Sequence, residues 1–178
     1  MEQALIGAVL ACGAKNAAVI AMEEVSFEPS FREACAANYC GHYGKSWMCP
    51  PDVGEIDQLI ARARLYRRAL VYHTVGELED SFDYENMQAA KRRHAALDQR
   101  VRGEFRRMGP AADFLQLGGH CSLCPRCARE DDLPCRHPQD AISELSAYGV
   151  NVTLLAQSAG IPYAAGPNTV TYFSAIFY

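Results

Sequence analysis

The distribution of cysteine constrains this chain more than any other feature of its sequence. Seven of the eight cysteines lie in two short segments, residues 35–51 and 118–138. A chain of 178 residues buries enough apolar surface to fold without covalent crosslinks, so disulfides are not needed to hold it together. In a reducing compartment, clustered thiols are typical of metal ligands or redox groups.

Composition and charge favour a cytoplasmic protein. Met1 is followed by Glu2 with no basic region, unlike a secretory leader. The apolar run of residues 4–14 is interrupted by Gly7 and Gly13 and is too short to cross a membrane. The net charge of −4 and the pI of about 5.7 argue against a general nucleic-acid or membrane-surface binder. We therefore expect no nucleic-acid partner and no membrane partner, and the sequence leaves a homo-oligomer open.

Hydrophobic periodicity predicts an α/β fold, in which residues 1–178 form a single-domain sandwich with a mixed sheet flanked by helices. The two cysteine-rich segments are predicted to be metal-binding loops. Strands are predicted at residues 17–22, 69–75, 114–117 and 170–177, and helices at residues 2–13, 54–64, 84–107, 141–148 and 152–159, with a short helix or turn at 26–34. The basic residues of the longest helix are predicted to form mostly a solvated face: Lys91, Arg92, Arg93, Arg100, Arg102, Arg106 and Arg107.

The second cysteine segment carries the stronger metal motif. Cys121, Cys124 and Cys127 follow one another with two-residue gaps, and Cys135 lies seven residues farther on. Such a triple can wrap one compact cluster, and it is close to the cysteine run of bacterial ferredoxins, although Pro138 lies three residues beyond the distal cysteine. Zinc sites more often use paired CxxC motifs separated by a longer loop. The spacing therefore favours a [4Fe-4S] cluster, with zinc as the alternative.

The first cysteine segment offers only three thiols, Cys35, Cys40 and Cys49. Four arrangements stay open. In the first, the chain holds two clusters, and the cluster of the three-cysteine segment has an open iron. In the second, His42 or His120 supplies the missing ligand of that segment. In the third, the chain holds one cubane and one zinc, and in the fourth a single site draws cysteines from both segments.

The residues around the cysteines favour an anionic metal group. Lys45, Arg126, Arg129 and Arg136 lie close to the cysteines in sequence, and positive charge there stabilises an anionic cluster. Cys12 lies apart, in the first predicted helix, and is predicted to belong to the core. The chain contains no nucleotide-binding glycine motif and no serine-hydrolase elbow.

In these segments the chain resembles the uncharacterised "predicted metal-binding protein" family, domain of unknown function 2284. The motifs that carry the resemblance are CAANYCGHYGKSWMCPP at residues 35–51, CSLCPRC at 121–127, CRHP at 135–138 and ISELSAYGVNV at 142–152. The similarity extends over nearly the whole chain, to NTVTYF at residues 168–173. The resemblance implies a cysteine-ligated metal, commonly supposed to be iron–sulfur, and no established reaction.

We therefore expect a protein that holds one or two [4Fe-4S] clusters and has a redox or electron-transfer role. Its partner would be a redox partner or a small-molecule substrate that the sequence does not identify. Two alternatives remain: an enzyme that uses an open iron at the three-cysteine site for Lewis-acid or sulfur chemistry, and a zinc-stabilised interaction module. The sequence leaves open whether the protein is an enzyme.

Overall fold

The computed structural model describes residues 1–178 as five α-helices, three short 3-10 turns and one five-stranded sheet. The helices are α1 (Glu2–Ala11), α2 (Phe31–Ala36), α3 (Ile56–Ala63), α4 (Tyr84–Met108) and α5 (Val152–Ser158). The strands are β1 (Asn16–Ala21), β2 (Arg68–Glu77), β3 (Leu115–Gly118), β4 (Ser143–Glu144) and β5 (Thr169–Phe177). The predicted α/β fold is confirmed.

The sheet is mixed and open, with strand order β1-β2-β5-β3-β4. The first four strands in this order pair antiparallel with their neighbours, and β4 pairs parallel with β3. The interior strand β2 is buried without interruption at residues 69–73. A strand covered on both faces has this continuous apolar character, which is why the run ALVYH predicts it.

Helices cover both faces of the sheet. On one face, α1 and α4 pack against Leu70 and Tyr72 of β2. On the other face, α3 and α5 pack against Ala69 and Val71 of the same strand. Successive residues of β2 face opposite sides of the sheet because side chains alternate along a strand with a period of two. Cys12 packs at the margin of the first of these cores, as predicted.

The long helix α4 has clear signals at both ends. The Asp83 side chain caps its N-terminus by accepting a hydrogen bond from the Asn86 backbone N–H at 3.1 Å. Gly109 ends it in a left-handed conformation with φ 61°. Between them, an apolar stripe packs on the sheet at four-residue spacing: Leu97, Val101 and Phe105.

Arg102 is an exception to the predicted solvated face of α4. Its neighbours Arg92, Arg93, Arg100 and Arg106 are exposed, but Arg102 is only 8% exposed. The prediction for this residue is wrong because Arg102 follows Val101 on the side of the helix that turns towards β3. Residue type alone does not show on which side an arginine lies.

The predicted helix at residues 141–148 is also wrong. Ser143 and Glu144 form β4 and pair parallel with Leu117 and Gly118 of β3, and residues 146–148 form a single 3-10 turn. Gly149 then takes a left-handed conformation with φ 71°. The apolar spacing that predicts a helix arises here because Ile142, Leu145 and Tyr148 reach the core from three different local conformations.

This end of the sheet positions both cysteine segments. The second segment starts at Gly118, the last residue of β3, and ends before β4, while Cys35 lies in the last turn of α2. Beyond α2, residues 37–55 contain no helix or strand. No helix of the chain has the length and apolar character needed to cross a lipid bilayer.

Candidate metal centre

The four thiols of the second segment share one cavity. Cys121, Cys124, Cys127 and Cys135 all line a space of about 130 Å³, and each is partly buried. Burial raises the pKa of Cys121, and negative charge on Cys135 or Cys127 would raise it further. The backbone N–H groups of Leu123 and Ile142 oppose this rise by donating to the sulfur. Hence the thiols predicted to act together do lie together.

The four thiols are soft donors, and their chemistry suits a thiolate-ligated metal group, either zinc or iron–sulfur. No three His, Cys, Asp or Glu side chains converge into a group that could hold a single ion. A tetrahedral zinc site needs sulfur atoms only about 3.8 Å apart, given Zn–S bonds of about 2.3 Å. A cubane takes one thiolate at each of four separate iron corners, so its ligands surround a volume.

The three thiols of the first segment differ in exposure. Cys40 is exposed, Cys35 is partly buried and Cys49 is 5% exposed. Burial raises the pKa of Cys49 to about 12, and the Glu144 carboxylate adds to the rise, while a hydrogen bond from Ser46 opposes it. Negative charge on Cys40 or Cys35 would also raise the pKa of Cys49, by a smaller amount. The three thiols therefore lie within electrostatic reach of one another.

Glu144 is a neighbour of the first segment that the sequence did not reveal. Its negative charge is the second-largest cause of the raised pKa at both Cys35 and Cys49. Glu144 lies on β4, where it pairs with Gly118 at the start of the second segment. No spacing rule connects it with the distant first segment, and only the parallel pairing of β4 with β3 brings it there.

Two histidines join the cysteine segments. The Cys49 Sγ atom lies 3.5 Å from the His120 Nδ1 atom. The His42 ring stacks on the His120 ring with centroids 3.6 Å apart and planes 10° apart. Burial lowers the pKa of His120 to about 4, helped by the charges of His42 and Lys91. A neutral His120 can therefore accept a hydrogen bond from the Cys49 thiol in the tautomer that leaves Nδ1 unprotonated. Both predicted candidate ligands lie beside the three-cysteine set.

Further contacts bind the same two segments together. Trp47 donates its indole N–H to the Leu133 carbonyl at 2.9 Å. Its ring lies under the Arg129 guanidinium, with the Cζ atom 5.1 Å from the centroid. The Arg129 Nε atom is 2.8 Å from Asp52 Oδ1, an ion pair without the alignment of a hydrogen bond. The two segments, far apart in sequence, thus form one structural unit.

The four predicted cations play unequal parts. Arg126 forms ion pairs with two carboxylates, Glu130 and Asp131, and Arg129 pairs with Asp52 and Asp132. Lys45 and Arg136 line the cavity of the four thiols and form no ion pair. These two side chains are therefore the cations available to an anionic group in the cavity.

A buried polar network lies beneath the second segment. The Tyr72 hydroxyl donates to Asp98 Oδ1 at 2.7 Å, and the His94 ring contacts the hydroxyls of Ser174 and Thr74, each at 2.8 Å. Burial raises the pKa of Asp98 to about 7 and lowers that of His94 to about 4. Their 3.8 Å contact is therefore not an ion pair at neutral pH.

This network borders the metal centre. A cavity of about 30 Å³ between α4 and the second segment is lined by His94, Asp98, His120 and Cys121. This network was not predicted from the sequence, because only the basic residues of α4 were assigned to a face of the helix. The spacing of His94 and Asp98 in phase with Leu97 and Val101 is the signal that could have revealed it.

Comparison with known proteins gives a family and no closer relative. No curated protein matches the chain, and no solved structure matches it. The family model "Predicted metal-binding protein (DUF2284)" matches residues 18–178, which include both cysteine segments. The chain therefore belongs to the predicted metal-binding protein family DUF2284.

Proposed function

We propose that the protein is a cytoplasmic iron–sulfur protein with a redox or electron-transfer role. Its principal group would be a [4Fe-4S] cluster ligated by Cys121, Cys124, Cys127 and Cys135. The observation that carries the proposal is the shared cavity of about 130 Å³ around these four thiols. When bound, such a cluster takes up and releases single electrons.

The chemistry of the donor set supports iron–sulfur over zinc. The second segment presents four soft thiol donors to one cavity, which suits both kinds of metal group. One feature favours the cluster, namely the close CxxCxxC run of Cys121, Cys124 and Cys127. Membership of a predicted metal-binding family supports metal binding as such and is compatible with either metal.

The surroundings of the cavity support a redox role. Lys45 and Arg136 supply positive charge, which stabilises the reduced, more negative state of a cluster and raises its potential. Trp47, Met48 and Leu123 line the same cavity and would limit the access of water to the group. The remaining face of the second segment carries exposed residues, where a redox partner could approach.

The first segment would provide a second metal site through Cys35, Cys40 and Cys49. His120 and Glu144 are candidates to complete it, because His120 contacts Cys49 and the charge of Glu144 raises the pKa of Cys49. A three-thiol site in which one ligand, Cys40, is exposed to solvent is also what an enzyme with an open iron would need. The exposure of Cys40 is the observation that supports the alternative function, an enzyme that acts on a small-molecule substrate.

Anaerobic purification with absorption and EPR spectroscopy tests the proposal. We expect a brown protein with thiolate-to-iron charge-transfer bands and a cubane EPR signal on reduction. Cys124→Ala should lose this signal, while Cys49→Ala should retain it and change only the contribution of the first segment. A colourless protein with stoichiometric zinc would contradict the proposal and would support a zinc-stabilised interaction module.

A further inference from the structure

A second cleft lies beside the metal centre, at the open edge of the sheet. Strand β4 pairs with β3 only at Leu117 and Gly118, so the edge of β3 before these residues is uncovered by any strand. A cleft of about 700 Å³ occupies this place. Its volume is in the range of small-molecule sites. Three arginines line it: Arg62 from α3, and Arg102 and Arg106 from α4.

Arg102 is a buried cation that forms no ion pair, and the carboxylates of Asp140 and Asp98 act on it only from farther away. The guanidinium is largely buried, and no carboxylate lies within 4.0 Å of it. Its Nε donates to Gln116 Oε1 at 2.7 Å, and its Nη1 donates to the Gln139 carbonyl. Both acceptors are neutral. A buried cation with neutral partners alone is costly, and an anion bound in the cleft would remove that cost.

Arg106 is held next to Arg102. Its Nη2 donates to the same Gln139 carbonyl at 2.9 Å, and its Nη1 reaches Asp140 at 3.2 Å. Both guanidinium groups lie over the Phe114 ring, with Cζ atoms 5.7 and 5.8 Å from its centroid. Two like charges are thus held side by side before any ligand arrives, which lowers the entropic cost of binding one. Burial lowers the pKa of Arg102, and the repulsion from Arg106 lowers it further.

The acidic residues of the cleft are engaged elsewhere. Asp52 lies 2.8 Å from Arg129, and Asp113 accepts a hydrogen bond from the Tyr66 hydroxyl at 2.9 Å. Arg62 reaches the cleft from the helix on the opposite face of the sheet and is exposed. Arg62 and Arg102 form no ion pair, whereas Arg106 is paired with Asp140, so the cleft presents two unpaired guanidinium groups to a ligand.

We propose that this cleft binds a small organic anion through Arg102, Arg106 and Arg62. The recognised group is a carboxylate or a phosphate, because the guanidinium fork matches both in geometry and charge. Met48 lines the same cleft and directly precedes Cys49, so a bound anion would lie beside the candidate metal centre. The site is formed by side chains outside the cysteine segments, and its existence does not depend on which metal the protein holds.

Isothermal titration calorimetry of the purified protein with succinate and with inorganic phosphate tests the proposal. Sodium chloride keeps the ionic strength constant, and the tighter of the two probes indicates the class of anion. We expect one of them to bind, and Arg102→Gln to weaken that binding by at least about tenfold. Arg62→Gln changes an exposed residue, so it tests the site even if Arg102→Gln fails to fold, and it should weaken binding about threefold or more.

The control variant is Arg107→Gln. Arg107 lies on the same helix, is exposed, pairs with Glu104 and does not line the cleft, so its loss should leave binding unchanged. The proposal is overturned if neither probe binds the wild-type protein at millimolar concentration. It is also overturned if the three variants bind the better probe equally.

Discussion

The Cys49 sulfur lies 3.5 Å from the Nδ1 atom of His120, the residue that directly precedes Cys121. This contact joins the two cysteine segments, because Cys49 belongs to the first set of thiols and His120 is adjacent to the second. The His120 side chain therefore contacts one cysteine segment while its backbone belongs to the other. The stacking of His42 on His120 adds a second contact to the same junction.

Replacing His120 should loosen the junction. We expect His120→Ala to accelerate amide hydrogen exchange in residues 42–49, because the variant removes both the Cys49 contact and the stacked ring. His137→Ala is the matched control, since His137 is exposed and lies in the same segment. If exchange in residues 42–49 is the same in both variants, His120 does not hold the segments together.

Gly118 should tolerate no side chain. A Cβ atom there would lie 2.5 Å from the Ser174 hydroxyl oxygen and 2.9 Å from Asp98 Oδ2. We expect Gly118→Ala to lower the free energy of unfolding by about 1–3 kcal/mol in urea titrations. The neighbouring Gly119→Ala is the control, because its Cβ would meet nothing within 4 Å. Equal stabilities of the two variants would argue against close packing of the buried network on β3.

Asp98 should make stability depend on pH. Its pKa is about 7 in the folded chain and near 3.8 when unfolded, so between these values the folded chain binds a proton that the unfolded chain has lost. Stability must therefore fall as pH rises through this window. His94 has the opposite effect, because its pKa is lowered on folding.

Asp98→Asn isolates the first effect, since His94 remains in both proteins. We expect the stability of the wild type relative to this variant to fall by about 2 kcal/mol between pH 5 and pH 8. Urea unfolding at each pH measures the difference. Asp57→Asn, which changes an exposed carboxylate, should show no such trend. A flat difference for Asp98→Asn would mean that Asp98 is ionised throughout.

Trp47 should report on the metal group. It is the only tryptophan, and it lines the cavity of the four thiols. An iron–sulfur cluster absorbs at the wavelengths of indole emission and quenches it, so removal of the metal by a chelator should increase the fluorescence. Colourless zinc has no such absorption. Emission of equal intensity before and after metal removal would therefore contradict a cluster at this site.

Local patterns predicted most of the fold. The continuous apolar run of β2 and the Asp83 cap and Gly109 end of α4 are effects of neighbouring residues, so the sequence shows them directly. The two-residue strand β4 could not be predicted in this way. It exists because β3 offers it hydrogen bonds at Leu117 and Gly118, which no local pattern encodes.

The candidate metal centre was predictable in its ligand types and not in its assembly. Regular spacing indicates that Cys121, Cys124 and Cys127 act together, and the structure places them around one cavity. Spacing says nothing about His120 and Cys49, which are 71 positions apart. The burial of Arg102 was equally hidden, because charged side chains on a long helix are usually solvated.

The most direct test of the central claim is a count of iron, zinc and acid-labile sulfide in anaerobically purified protein. We expect iron and sulfide in equal amounts, with at least about four of each per chain. Cys124→Ala should lose them, while Cys12→Ala, which changes the one cysteine outside the two segments, should keep them. Stoichiometric zinc without sulfide, or full iron retention in Cys124→Ala, would contradict the claim.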